Sequence, residues 1–450
     1  MSNTVTSAFI DLATFDEIEK YLYNGPTAVT YFVRCVRKST WFSQVPVTLT
    51  QNAGNPDFNG DVAFQISRAG DYLTYVFLRA TLPAVALTPS ASQAGGSVQW
   101  VNAIGHNLID LTWVSFNDLK VQEFDSFWLD MWSAHTVTAS KRTGYNNMVG
   151  KDLAILGQLG IAKSSIDAYT INVPLPYFFT RDTGIALPTA ALPYNEMRIH
   201  FEFRDWRELL LFSGGATYQN LVSQDLHLKT VQLWANYAVV SNEERVKMGK
   251  CPRDMVIEQV QRHGGRQFTA AVTTTASNQQ FDIRMSHSIK ALFWNVQNTT
   301  VCSNNQAQEL SNYTTRSYCS DNSPNDPSHY PGSGQDPVLL SSLLYENTYR
   351  LFEMGSDYFS LVQQFYHWDV IPEDTGYHSY SFAIKPTSMD PTGSTNFGKL
   401  TNVSLQLTPT QDAVDQNESA QNKQVYQLFI RALNFNIVRV SGGALGLPVL

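Results

Sequence analysis

Charge is what this chain has little of. Asp, Glu, Lys and Arg make up only 16% of its 450 residues, against roughly a quarter in soluble domains. The 39 acidic residues outnumber the 31 basic ones, for a net charge of -8. The basic residues never gather into a patch. The densest spots, Arg34-Arg37-Lys38 and Lys141-Arg142, read as solvated strand ends or interface charges. Phosphate neutralisation requires clustered Lys and Arg, so direct nucleic acid binding is not expected. Cysteine is scarce too. Cys35, Cys251, Cys302 and Cys319 form no CxxC pair, which excludes a disulfide framework and a zinc ribbon. Cys302 and Cys319 share one Asn/Ser-rich stretch, where a bridge would contribute about 3 kcal/mol; two reduced thiols is the favoured reading. No apolar run approaches the 18 residues of a membrane span. Met1 to Ser7 is polar and uncharged with no apolar stretch behind it, so no signal peptide is expected.

The patterns of catalysis are missing as well. There is no HExxH, no GxSxG elbow and no Walker A loop. The nine histidines have no ligand spacing, and His106 and His227 read as ordinary polar positions. Ser441 to Gly446 loosely imitates a dinucleotide loop, but no helix follows it to hold a pyrophosphate. No catalytic, cofactor-binding or metal-ligating residue is therefore assigned, and neither a cofactor nor an enzymatic activity is expected. Asn298, Asn312, Asn402 and Asn417 fit the glycosylation pattern; without a secretory signal they read as chance matches.

What the chain has instead is area to bury: 43% hydrophobic and 12% aromatic residues. High aromatic content beside low charge describes surface that neighbours cover. The chain is too long for one ordinary core, so two domains of about 200 residues are expected. An internal repeat supports the division. Phe116-Asn117-Asp118, an aromatic run from Asp125 to His135 and Thr143-Gly144-Tyr145 recur as Tyr345-Glu346-Asn347, Asp357 to Trp368 and Thr375-Gly376-Tyr377. The offsets are 230 from Asn117 to Asn347, 231 from Trp128 to Phe359 and 232 from Gly144 to Gly376. The aromatic stripes read as helices packed on a sheet end or between subunits.

The chain opens with a helical signal. Thr14 to Glu17 forms a capping box with Thr14 as N-cap, and Phe15, Ile18 and Leu22 share one face until Asn24-Gly25-Pro26 stops the helix. From Thr40 the period becomes two, with strand patterns at 41–49, 62–66, 71–79, 111–116, 171–179, 196–204 and 226–240. Met197, Ile199, Phe201 and Phe203 alternate cleanly with charged residues. Ala84 to Gly96 reads as a loop and Ser241 to Gly249 as a polar connector. Strand patterns return at 255–260, 281–285, 289–296, 401–407 and 425–440, with a long loop over Asn298 to Pro337. Many short strands joined by turn chemistry predict an all-β chain of two consecutive antiparallel sandwiches, each a jelly roll or close relative, with short helices in the loops. The expected division is an arm at 1–28, a first domain at 29–240 and a second at 241–450.

Longer stretches carry a resemblance. Leu175-Pro176-Tyr177-Phe178-Phe179-Thr180-Arg181-Asp182, on to Pro188 and Leu192-Pro193-Tyr194-Asn195-Glu196, resembles a segment of the major capsid proteins of large icosahedral double-stranded DNA viruses. Pro391 to Asn402 resembles their second-domain signature. Phe9 to Asp16, Lys141 to Met148 and Gly446 to Leu450 resemble the iridovirus branch. The resemblance spans the whole chain apart from the loops at 84–100, 298–337 and 408–422. It implies a double jelly roll of two eight-stranded sandwiches, a homotrimer forming a pseudo-hexagonal capsomer, neighbouring capsomers and minor capsid proteins as partners, and an internal lipid membrane nearby. It also implies a virion shell assembled in the host cytoplasm. The second reading is a tandem β-sandwich that binds or cleaves glycans. A capsid protein elutes as a trimer without sugar binding, whereas a lectin or glycan hydrolase binds sugars as a monomer. A sparse vertex protein is a third, distinguished by its copy number in particles.

Overall fold

The computed structural model describes residues 2–151, 164–268, 278–300, 309–315, 334–418 and 425–448. Cys302 and Cys319 lie outside them, as do most of the loop expected at 298–337 and part of 408–422. The chain divides into two units, Met1–Trp41 and Phe42–Leu450.

The first unit holds two helices, α1 (Ser2–Ala13) and α2 (Glu17–Tyr23). The expected N-cap, Thr14, is not the cap. Its hydroxyl donates to the Asp11 carbonyl at the end of α1, and Asp16 caps α2 in a box with Glu19. A carboxylate is at least as good a cap as a hydroxyl, and this hydroxyl is already engaged. Phe15, Ile18 and Leu22 are exposed. The first strand begins at Phe42, within the pattern expected at 41–49.

The second unit is built from one pairing order used twice. Its first half contains β1 (Phe42–Gly54), β2 (Asp61–Gln65), β3 (Tyr72–Leu82), β4 (Ile109–Phe116), β5 (Leu119–Asp125), α3 (Ser126–Thr136), α4 (Ala139–Val149), β6 (Tyr169–Pro174), β7 (Met197–Phe203) and β8 (Thr230–Val240). The sheet order is β5-β4-β7-β2-β1-β8-β3-β6, with β1 long enough to pair β8 at one end and β2 at the other. Helix α5 (Asn242–Lys250) occupies the expected polar connector. The second half then contains β9 (Arg253–Phe268), β10 (Gln279–Ile283), β11 (Ser288–Asn298), β12 (Val338–Tyr345), β13 (Thr348–Gly355), a π-helical turn at Tyr358–Val362 running into α6 (Gln363–His367), β14 (His378–Ser381), β15 (Val403–Pro409) and β16 (Tyr426–Ser441). Its orders are β9-β16-β11-β14 and β10-β15-β12-β13. These reproduce, strand for strand, β1-β8-β3-β6 and β2-β7-β4-β5.

Local sequence explains much of this. The alternation in β7 holds, with Met197, Ile199, Phe201 and Phe203 buried and the residues between them half-buried. The run expected as strand over 171–179 ends at Pro174 and continues as a 3-10 turn at Phe178–Thr180. The expected loop at 84–96 is partly structured: Val85 and Leu87 are buried, Val85 pairs with Ile166, and Pro89–Gln93 is helical.

Both hairpins of the repeat turn on two residues with positive φ, Asn117 (47°) and Asp118 (65°) in one and Glu346 (49°) and Asn347 (65°) in the other. Such angles belong to type I′ turns, whose twist matches the flanking strands. The structural equivalence is therefore Asn117 with Glu346, one residue off the sequence alignment. The third landmark was a coincidence. Gly144 lies within α4 with open space around it, whereas Gly376 has φ +91° and an added Cβ there would meet the Tyr313 carbonyl at 2.3 Å.

Asp118 and Asn347 tolerate left-handed backbone; a β-branched residue does not. Asp118→Val and Asn347→Val should each lower stability by about 1–2 kcal/mol, while glycine at either position should leave it level or raise it. Urea midpoints of the four variants measure this, and equal tolerance of valine and glycine contradicts it.

Candidate functional site

Residues 289–298 of β11 and 428–434 of β16 are buried on both faces, and β9 beside them buries Met255, Ile257 and Glu258. Leu292, Trp294, Leu428 and Ile430 point into the second half's own core, while Met255, Ile257, Ala291, Phe293 and Leu433 belong to the core of the first half. The seam so formed is the most elaborate site in the chain. The expectation that the first aromatic run packs against a sheet is met here. Helix α3 lays Phe127 on Phe429 with ring centroids 4.0 Å apart and Trp128 edge-on to Phe293 at 5.3 Å.

Asp125, the last residue of β5, explains the position of α3. One carboxylate oxygen caps the helix through the Trp128 amide at 3.0 Å, and the group is also paired with the Arg431 guanidinium from β16. Burial acts to raise the Asp125 carboxyl, but Arg431, the Trp128 amide and Arg262 together outweigh it and the group lies below its ordinary value. At the other end of α3, Arg142 donates to the carbonyls of Ser133 and Ala134, both at 3.1 Å. The sequence placed Lys141-Arg142 among solvated or interface charges. Arg142 is instead buried, a cation on the negative end of a helix dipole.

Further along the seam, Glu258 of β9 lies between Arg181 and Lys290, all three within a tenth of full exposure or less. Arg181 also stacks over Trp132 at 4.0 Å. Desolvation lowers both the Arg181 and the Lys290 values, and Glu258 works against it. Asp130 accepts from the Tyr377 hydroxyl at 2.9 Å. His135 donates from Nδ1 to the Met131 carbonyl at 2.7 Å, which leaves Nε2 to accept from the Gln364 amide at 2.9 Å. Burial pushes His135 down to about 4, in keeping with that neutral ring. The Asn102 amide donates to Glu309 at 3.0 Å, and burial pushes this carboxyl up to about 7. At the edge, Leu445 donates to the Asn195 side chain at 2.9 Å.

None of this assembles catalysis. Ser356, His378 and Asp336 do come together unforeseen, but Ser356 and Asp336 both meet the same ring nitrogen, Nε2, while Nδ1 faces the Trp294 carbonyl at 3.3 Å. A nucleophile–base–orienter relay needs the serine and the carboxylate on opposite nitrogens. Among the described residues, no group of three or more His, Cys, Asp or Glu is spaced to hold a metal. Asn298 and Asn312 are buried, their side chains bonded within the fold. His106 is wholly buried and bonded to Tyr145 at 2.8 Å; His227 pairs with Asp57. Cys35 and Cys251 are free and exposed.

The buried charges of the seam, Asp125 with Arg431 and Glu258 with Arg181 and Lys290, join the two halves of one strand-dominated chain. Two family models match it. One described as major capsid protein N-terminus covers residues 30–240, and one described as large eukaryotic DNA virus major capsid protein covers residues 244–446. The chain belongs to the family of major capsid proteins of large eukaryotic DNA viruses. It is 47% identical over 469 residues to the major capsid protein of Costelytra zealandica iridescent virus, spanning 100% of this chain and 99% of that one. It is 48% identical over 462 residues to that of Wiseana iridescent virus, 98% of this chain and 93% of the relative. Among solved structures, the PBCV-1 virus capsid protein superposes with a TM-score of 0.76 over 94% of this chain and 100% of that chain, at 21% identity. At that identity the likeness is one of fold.

Removing one partner of a buried charge group leaves the others unpaired. Glu258→Gln should cost about 3–5 kcal/mol of stability, read from denaturant midpoints; a loss below 1 kcal/mol contradicts the geometry.

Two seam groups set opposing pH dependences. Glu309 is raised from 4.5 to about 7, so its folded form holds a proton the unfolded chain has released, and stability falls as pH rises across that window. His135 is lowered from 6.5 to about 4, so the unfolded chain holds the extra proton and stability rises from pH 4 to 6.5. Between pH 4.5 and 6.5 the two oppose each other. Glu309→Gln should remove the first, and its denaturant midpoint should climb more steeply with pH than that of the parent. Parallel profiles would show that Glu309 is an ordinary carboxylate.

Proposed function

We propose that this chain is the principal building block of an icosahedral virion shell, folded as two consecutive eight-stranded jelly rolls at 29–240 and 241–450 behind an arm at 1–28. The observation that carries the reading is the strand order repeated in each half, in a chain whose full length is kin to iridescent-virus major capsid proteins. Three copies form the capsomer. Two similar sandwiches per chain then make six in each block, a pseudo-hexagon that tiles a flat facet. The shell is assembled in the host cytoplasm around an internal lipid layer, which agrees with a net charge of -8 and no basic patch to meet a genome. No catalytic step and no cofactor belong to this role.

The loops at 84–96 and 298–337 both follow the third strand of their repeat, β3 and β11. We assign both to the outer face. Helix α2 has seven residues, too few to hold in water alone. Its exposed Ile18 and Leu22, with Phe15 just ahead of its cap, suit a minor capsid protein or the shell's inner side.

Light scattering at micromolar concentration should give a trimer with no affinity for a glycan panel. Obligate interfaces of this kind bury more than ~2,000 Å², so the trimer should survive physiological salt. A sugar-binding monomer would establish the glycan reading instead. Deleting residues 1–24 should leave trimers intact and impair lattice assembly. Loss of solubility and trimerisation together would mean that the arm completes the first sandwich.

A further inference from the structure

The two halves share a strand order but not a fate. In the first, the hairpin β4-β5 and helix α3 are covered by the sheet β9-β16-β11. In the second, the equivalent strand β13 and one side of the helical segment Tyr358–His367 are uncovered, while Phe359, Gln363 and Gln364 on the other side of that segment are buried. Tyr349 and Phe352 are 46% and 56% exposed, Leu361 51%, Phe365 69% and Tyr366 73%. At the offset that aligns Trp128 with Phe359, the counterparts of Leu361, Phe365 and Tyr366 in α3 are Asp130, Ala134 and His135, which are 1%, 3% and 0% exposed.

The sheet equivalent to the one that covers α3 is β1-β8-β3, and its outer face is open. Phe77 and Trp234 stack across it with centroids 6.4 Å apart, and Tyr75 beside them is 49% exposed. Next to Tyr75 and Phe77 opens a cleft of about 510 Å³, lined also by Val137, Tyr145 and Met148, with Arg181 and Asp369 as its charged residues. Phe293 is the sixth residue of β11 as Phe77 is of β3, and the space beside it, bounded also by Trp368 and Tyr377, is filled. His135 of α3 sits 5.3, 5.1 and 6.4 Å from those three rings.

We propose that the segment Tyr358–His367 of a second copy of this chain fills the Tyr75–Phe77–Tyr145 cleft and lies on sheet β1-β8-β3. The seam inside one chain is thereby repeated between chains. This rests on the trimeric reading above and adds the pair of surfaces that makes the trimer. The chemistry is complementary, because Leu361, Val362, Phe365 and Tyr366 present no charge to a cleft walled chiefly by aromatic and aliphatic carbon. Each copy carries one helix face and one sheet face, so the contact is head-to-tail and closes as a ring.

Two variants and their mixture test this by light scattering at micromolar concentration. Leu361→Glu/Phe365→Glu breaks the helix face and Tyr75→Glu breaks the sheet face. All three positions are exposed in the single chain, so circular dichroism and the melting midpoint should match the parent. If either charged variant misfolds, Phe365→Gln or Tyr75→Gln replaces it. The parent should be trimeric and each variant monomeric. Their equimolar mixture should form a heterodimer that grows no further, since one intact face of each kind remains between the two. A variant that stays trimeric overturns the assignment, and so does a mixture that stays monomeric. A monomeric parent overturns the trimer itself, and the pairing with it.

Discussion

Residues 289–298 of β11 and 428–434 of β16 have no solvent side, and most of the architecture follows from that. A strand buried on one face can carry polar residues on the other; a strand buried on both cannot. Every charge that touches these buried stretches must be met from across the seam or within the half. Lys290 and Glu258 meet each other and Arg181. Arg431 meets Asp125. Such pairs contribute little net stability once desolvation is counted. What they fix is register, because a one-residue slip of β11 would carry Lys290 into the second half's apolar core and Leu292 into the seam.

The family-like motifs read in the sequence turn out to hold the halves together. Arg181 in the Leu175–Pro188 stretch supplies a cation to Glu258, and Asn195 in the following stretch receives the chain end at Leu445. Thr143-Gly144-Tyr145, by contrast, only seems to recur. Its place in α4 puts Tyr145 on His106 at 2.8 Å, while Tyr377 reaches Asp130 from a glycine turn.

Strand periodicity, hairpin turns and the aromatic character of α3 were legible because they are local. The alternation of β7 and the polar pairs Asn117-Asp118 and Glu346-Asn347 announce themselves within a few residues. The cap of α2 was misread for want of a choice between neighbouring caps, Thr14 and Asp16. The seam itself was not legible. Asp125 and Arg431 are 306 positions apart, and neither has an unusual neighbourhood in sequence. The Ser356–His378–Asp336 cluster was invisible for the same reason, and only its geometry shows that it is not a relay.

The internal seam and the free face differ in chemistry for a physical reason. The halves of one chain are tethered, so a high effective concentration offsets the desolvation of several buried charges. Two separate copies have no tether. Their interface must lose its water before any pair is formed, and a charged patch at its centre would oppose that step. The seam accordingly contains Asp125, Arg431, Glu258, Arg181 and Lys290, whereas the exposed equivalent presents Leu361, Val362, Phe365 and Tyr366. Duplication supplied the shape twice. On the proposed pairing, the two uses call for different side chains, charged where the chain holds its own halves together and apolar where it meets another copy.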